Sequence, residues 1–421
     1  MEVQSTLNLL LRANKFHFVL GVLAILFTTK GLGGSFNAIF RVLGVADWHG
    51  PVIGTLSTLL LSLFFFNQRE QKNHPSIRLS NHLQWITIGL SLALILIGVS
   101  GRMKAIRIFP LDRSRADMLL TIQSQIDDFF SGRDPNAPQI LEDSTSLPRF
   151  YLPGLWLSYA PFHLIGVDIR YLNLVAQTIF CLLILSCFVR KKVYPPLSPM
   201  VSAGIFVLLL GVYLFSKQAV GQLVDVQTGP FWLYYSLFLW AMSFERRHLA
   251  YALIPMIVLC RHTAFLLVFP LCIYWARFER VELRKVLWFF ILGGSLAFFF
   301  IKNFGNLYQA FQFYALSVND VPESVMLKFF GPAGMLKRFG FLWLQAPLQT
   351  AGVLVAMAIS IFRKKLSRRE ALALGGFSYL IFVFLVGTPF GYLYTEPLLL
   401  AYFLLNWRND DPRPVFRCTA P

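Results

Sequence analysis

"YLPGLWLSYAPFHLIGV", residues 151–167, is the stretch on which the topology turns. It is apolar enough to enter a bilayer, yet it carries Pro153 and Pro161. A proline inside a helix removes a backbone hydrogen bond and clashes with the preceding turn. Whether this segment crosses decides the side on which every later loop lies.

The surrounding chain reads as membrane. Of its 421 residues 56% are hydrophobic and 14% charged, with a mean hydropathy of +0.59, against roughly 25% charged in soluble domains. About 20 apolar residues cover a bilayer as a helix. Twelve crossings fit this requirement: 16–30, 50–67, 82–100, 171–189, 200–217, 230–244, 248–260, 263–276, 286–302, 339–362, 370–388 and 391–406. The expected fold is all-α, a single polytopic integral-membrane domain over residues 1–421.

The net charge of +17 is not a nucleic-acid footprint, because the basic residues sit in short clusters between apolar segments. Such clusters mark cytoplasmic loops. They are Arg12/Lys15, Arg69/Lys72/Arg78, Arg190/Lys191/Lys192, Arg246/Arg247, Arg277/Arg280/Arg284/Lys285, Arg363/Lys364/Lys365/Arg368/Arg369 and Arg408/Arg413/Arg417. All seven lie inside only if 151–167 does not cross. A broken helix that re-enters or lies along the interface satisfies this. Both termini are then cytoplasmic, and loop 101–150 faces outward with 217–229, the turn at Arg261-His262 and 303–338. Arg12 and Lys15 precede an apolar run without a small-residue cleavage site, which reads as an uncleaved first span. The sequence holds no N-x-S/T sequon and no C-x-x-C pair. A bacterial plasma membrane is the expected location, and neither a disulfide framework nor a zinc site is implied.

The outward loop is acidic. Asp112, Asp117, Asp127, Asp128, Asp134, Glu142 and Asp143 are seven of only 21 acids in the chain. Within "RADMLLTIQSQIDDFFSGRDPNAP", residues 115–138, Met118, Leu119, Ile122, Ile126, Phe129 and Phe130 recur at helical spacing. Asp117, Thr121, Ser124 and Asp128 fall on the other face, which predicts an amphipathic helix on the outer surface. Its acids serve either as solvated counter-charges or as chemistry. Gly132 and the following "RDPNAP" end it.

The order of these features resembles the GT-C superfamily of integral-membrane glycosyltransferases. An acid after a span, an amphipathic helix, the turn Gly132-Arg133-Asp134-Pro135 and the segment beginning Tyr151-Leu152-Pro153 follow the layout of that family's first large outer loop, here 101–170. "PMIVLCRHTAFLLVFP", 255–270, resembles its short helical pair with a basic residue at the outer turn, and "FGYLYTEPLLLAYFLL", 390–405, its late tyrosine-rich entry into a helix. Two departures stand out: Met118 follows Asp117 where the family often has a second acid, and two additional spans precede the equivalent of its first helix. The resemblance implies transfer of a sugar from a polyprenyl-phosphate donor to a lipid, glycan or protein acceptor. A divalent metal is compatible with the sequence but not required by it.

Such transfer needs a base for the acceptor hydroxyl and positive charge for the departing phosphate. Asp117 is the expected base and Asp112 its competitor. Arg261 is the expected phosphate ligand, since guanidinium is planar and always charged, although capping a helix or snorkelling to headgroups also accounts for it. His262, Lys217, Glu396 and Tyr394 are further candidates for binding, each with a packing or interface role as the alternative. The rival reading is a transporter or flippase of a lipid-linked or anionic substrate, against which stands the lack of internal repeats.

Overall fold

The computed structural model describes residues 18–26, 28, 49–66, 68, 79–140, 146–149, 151–190, 198–316, 326, 331–385 and 394–407. The basic clusters before residue 79 and after 407, Lys191/Lys192, Glu142, Asp143 and Tyr392 lie outside them. Apart from one short antiparallel pair, Gln139–Ile140 with Ser146–Leu147, the described regular structure is helical.

Four helices are long and apolar enough to cross a membrane: Asn81–Ile108, Arg170–Arg190, Glu282–Phe300 and Leu342–Phe362. The apolar windows of the last two are only 11% buried by protein and that of the first 22%. Side chains such as Leu96, Phe299 and Phe362 therefore point away from the bundle. Apolar surface of this extent is compatible with membrane association. Further apolar helices are shorter, among them Pro199–Leu214, Arg247–Cys260 and His262–Phe278. A helix of 14 residues such as Arg247–Cys260 spans about 21 Å, less than the roughly 30 Å of hydrocarbon.

Several expected boundaries shift for local reasons. The third span runs on to Ile108 instead of ending at 100, so the outward loop starts as helix. The span expected over 200–217 stops at Leu214, where Ser216 caps a new short helix, Lys217–Val224, by accepting from the Ala219 N–H at 3.1 Å. Segment 151–167 folds as the 12-residue helix Pro153–Leu164. Pro153 takes the first turn, where its missing N–H costs nothing.

Packing builds one core. Helix Gly229–Ser243 lies between Arg170–Arg190 and Arg247–Cys260, while Arg368–Phe384 packs on His49–Phe66, Phe265–Phe278, Gln345–Phe362 and Thr395–Leu405. A side chain at Gly375 would place its Cβ 2.0 Å from the Leu267 carbonyl oxygen, so two helices touch backbone to backbone as small residues permit. Phe180 sits at the centre against Tyr213, Trp232 and Tyr402.

The bundle has two chemically distinct ends, joined by helix Arg280–Phe300. At its first-turn end, Arg247 meets Glu282 at 3.1 Å, Arg368 meets Glu279 at 2.5 Å, and Arg277 donates to the Ser360 and Arg363 carbonyls. Described members of three of the seven basic clusters, those at 246–247, 277–285 and 363–369, converge there. At the other end, Lys302 lies over the Phe129 ring and Asn306 donates to Asp134 at 2.7 Å. The acidic loop and the segment after residue 302 therefore share the opposite end.

Candidate functional site

The acidic helix spans Arg113–Phe130 and breaks at Ala116, whose φ −126°, ψ 39° is not helical. Leu119, Ile122 and Ile126 are fully buried, as their spacing predicts, and each contributes about 1.5–3 kcal/mol of burial. Phe129 packs on Trp156 and Phe300, whereas Phe130 stays exposed.

Asp117 is the first residue after the break and is exposed. Its Oδ1 accepts from the Met118 N–H at 2.8 Å, and its carbonyl accepts from Thr121 Oγ1 at 2.9 Å. No cation of a described residue pairs with it. Asp112 is half-buried one turn earlier, and its carbonyl accepts from the Ala116 N–H at 2.8 Å.

The neighbouring acids are occupied. Asp127 meets His163 Nε2 at 2.7 Å, tying the acidic helix to Pro153–Leu164. Asp128 accepts from Arg133 at 2.6 Å and from Arg149, which is 5% exposed and also donates to Ser124 Oγ at 2.9 Å. Asp134 caps the turn by accepting from the Asn136 N–H at 3.0 Å and reaches Asn306 with its other oxygen. Most described acids of this loop are therefore fasteners.

Arg261 occupies the break between Arg247–Cys260 and the turn His262–Ala264, in extended conformation at φ −152°, ψ 110°. Its guanidinium forms an ion pair with Glu396 and donates to Tyr379 Oη at 3.5 Å, with its carbon 5.4 Å from the centre of the Phe231 ring. Glu396 stands in the first turn of Thr395–Leu405, where a helix favours negative charge. Its side chain is fully buried, and Oε2 has no hydrogen-bond partner among the described residues. Two of the residues singled out from sequence thus meet each other, which spacing along the chain had no means to show.

The remaining candidates disperse. His262 is exposed at the same turn as Arg261. Tyr394 is buried, with its hydroxyl 3.2 Å from Thr58 Oγ1, and links the last helix to His49–Phe66. Lys217 opens the short helix Lys217–Val224. Asp117 and Arg261 are linked through an intermediary: the acidic helix packs on Pro153–Leu164, which packs on Arg247–Cys260. There the Cys260 thiol donates to the Gly154 carbonyl at 3.2 Å.

Sequence reasoning missed Tyr379 and Phe231, which complete the Arg261 environment. It also missed a buried junction at the same end, where Asn173 Oδ1 accepts from Tyr159 Oη at 2.6 Å and from the Gly229 N–H at 2.9 Å. Asn173 Nδ2 in turn donates to the Leu223 and Val226 carbonyls. The signal was a lone Asn inside an apolar helix, which must find partners when buried. Among the described residues no group of three or more His, Cys, Asp or Glu is placed to hold a metal ion. The chain matches no protein-family profile, no curated protein and no solved structure.

Proposed function

We propose that the chain is an integral-membrane glycosyltransferase of the GT-C type, crossing the membrane about twelve times. It moves a sugar from a polyprenyl-phosphate donor to an acceptor at the end that carries the acidic helix. The observation that carries this reading is Asp117: an exposed carboxylate at the broken start of a surface helix, unpaired among the described residues while its neighbours fasten the loop. In a single inverting displacement the acceptor oxygen attacks the anomeric carbon, its proton passes to Asp117, and the sugar–phosphate bond breaks to release polyprenyl phosphate. Arg261, held by Glu396, supplies positive charge for the leaving phosphate. His262 adds a polar group at the same turn.

Purified protein in nanodiscs, given a polyprenyl-phosphate hexose and a nucleotide sugar, should consume only the lipid-linked donor. Turnover of the nucleotide sugar overturns the reading.

One observation favours a second reading. The fully buried Glu396 with its Arg261 partner lies within the helical bundle, and intramembrane ionisable pairs also mark transport pathways. A transporter or flippase would move the lipid-linked sugar across proteoliposomes without releasing free polyprenyl phosphate.

A further inference from the structure

Arg102 is a further arginine at this end of the bundle, buried like Arg149 and Arg170, and unlike them it has no acid partner among the described residues. It lies in the last two turns of Asn81–Ile108 and is 2% exposed. A guanidinium stays charged in proteins, so its burial demands a counter-charge. Nε donates to Gln177 Oε1 at 2.8 Å, and Gln177 is held by donating Nε2 to the Ala219 carbonyl at 3.0 Å. Both Nη atoms are buried and have no acceptor among the described residues.

The side chain also points the wrong way for escape. An arginine near a helix end ordinarily extends its head to the interface. Here Nη1 lies 3.1 Å from where a Cβ at Gly98 would stand, one turn back along the helix. The missing side chain of Gly98 leaves the room that the guanidinium occupies. The head group is turned inward and fixed at Nε, with its outer edge uncommitted.

Two neutral donors, Tyr213 beside it and Trp232 beside Tyr213, share the deficit. The guanidinium carbon is 5.7 Å from the centre of the Tyr213 ring, and Tyr213 and Trp232 have their ring centres 5.6 Å apart. Tyr213 Oη and Trp232 Nε1 are both buried without a hydrogen-bond partner among the described residues. These residues come from three different helices, Asn81–Ile108, Pro199–Leu214 and Gly229–Ser243. The patch offers donors and positive charge and supplies no negative charge.

We propose that Arg102, Tyr213 and Trp232 form a binding site for a phosphate group. A phosphate presents acceptors in several directions, which suits a fork of Nη donors and two further donors on separate helices better than a planar carboxylate does. The group comes either from an anionic lipid or from free phosphate. A lipid is favoured because the helices that carry Arg102 and Tyr213 leave the apolar side chains Leu96 and Leu208 more than half exposed. None of its residues belongs to the Arg261–Glu396 pair or to the residues proposed for glycosyl transfer.

The test uses the full-length protein, delipidated in a neutral detergent and titrated with phosphatidylglycerol, inorganic phosphate or diacylglycerol while its melting temperature is followed. Phosphatidylglycerol should raise it and diacylglycerol should not; an equal response to inorganic phosphate identifies the free anion as sufficient. Arg102→Gln should weaken the phosphate response by about tenfold or more, and Arg102→Lys by less, because the charge remains while the fork is lost. If Arg102→Gln does not fold, Tyr213→Phe and Trp232→Phe keep the rings and should each weaken the response about fivefold. No response to either phosphate probe, an equal response to diacylglycerol, or unchanged responses in the variants overturns the site.

Discussion

Arg261 and Glu396, 135 residues apart in the chain, form an ion pair whose acidic side chain is fully buried. The pair closes the Arg247–Cys260 hairpin turn onto the last described helix. Desolvating two charges costs several kcal/mol, and their attraction offsets this only while both are present.

Removing one partner should therefore cost far more than removing both. Arg261→Ala is expected to destabilise the protein by about 3–5 kcal/mol, and Glu396→Gln to act in the same direction. The double variant Arg261→Met/Glu396→Leu should recover most of the loss. Thermal unfolding of the four proteins in one detergent measures the coupling. Additive losses would show that the two side chains act independently.

The acids of the surface helix separate in the same way. Asp128 holds Arg149, which is buried and also bound to Ser124, so Asp128→Asn should loosen the segment 124–149 by about 2–3 kcal/mol. Asp127 is largely exposed and its His163 partner half-buried, and Asp127→Asn should cost no more than about 1 kcal/mol. Hydrogen exchange over the helix reads the difference. Equal protection in both variants would assign Arg149 to packing alone.

What the sequence disclosed follows from range. Apolar runs and the period of the acidic helix are local, and the helices at 170–190, 229–243 and 113–130 lie where those patterns put them. Ends were legible only where a cap or proline stops the chain. The third helix carries on past Arg102 because Arg102 is buried against Gln177 and does not mark a water boundary. Asp128–Arg149 and Arg261–Glu396 are tertiary events, and composition lists their members without pairing them. The fastening role of the acids was hidden for that reason.

Sidedness is open to labelling. Ser131 is exposed at the acidic end, and Lys365 is exposed at the end where the basic stretches converge. Lys365 is a better probe than Ser367, whose side chain forms a capping box with Glu370 that a cysteine would break. An impermeant thiol reagent applied to intact cells should mark Ser131→Cys and leave Lys365→Cys unmarked. Marking of both from outside would place the proposed site and the basic loop on one side, and the topology would fail.

The last expectation concerns the base. Asp117 is exposed and bonded only to its own helix among the described residues, so Asp117→Asn should leave folding within about 0.5 kcal/mol of the parent. The amide still accepts from the Met118 N–H but takes no proton from an acceptor hydroxyl. Loss of general-base assistance should lower transfer by a factor on the order of 100 to 10,000 without weakening donor binding. Asp112, half-buried one turn earlier beyond the break at Ala116, provides the internal comparison. Asp112→Asn should keep most of the activity, with any loss traceable to the helix start through its melting temperature. Turnover measured in nanodiscs with a lipid-linked hexose separates the two residues: a fully active Asp117→Asn enzyme removes the base assignment, and an inactive, well-folded Asp112→Asn enzyme beside it moves the base across the kink.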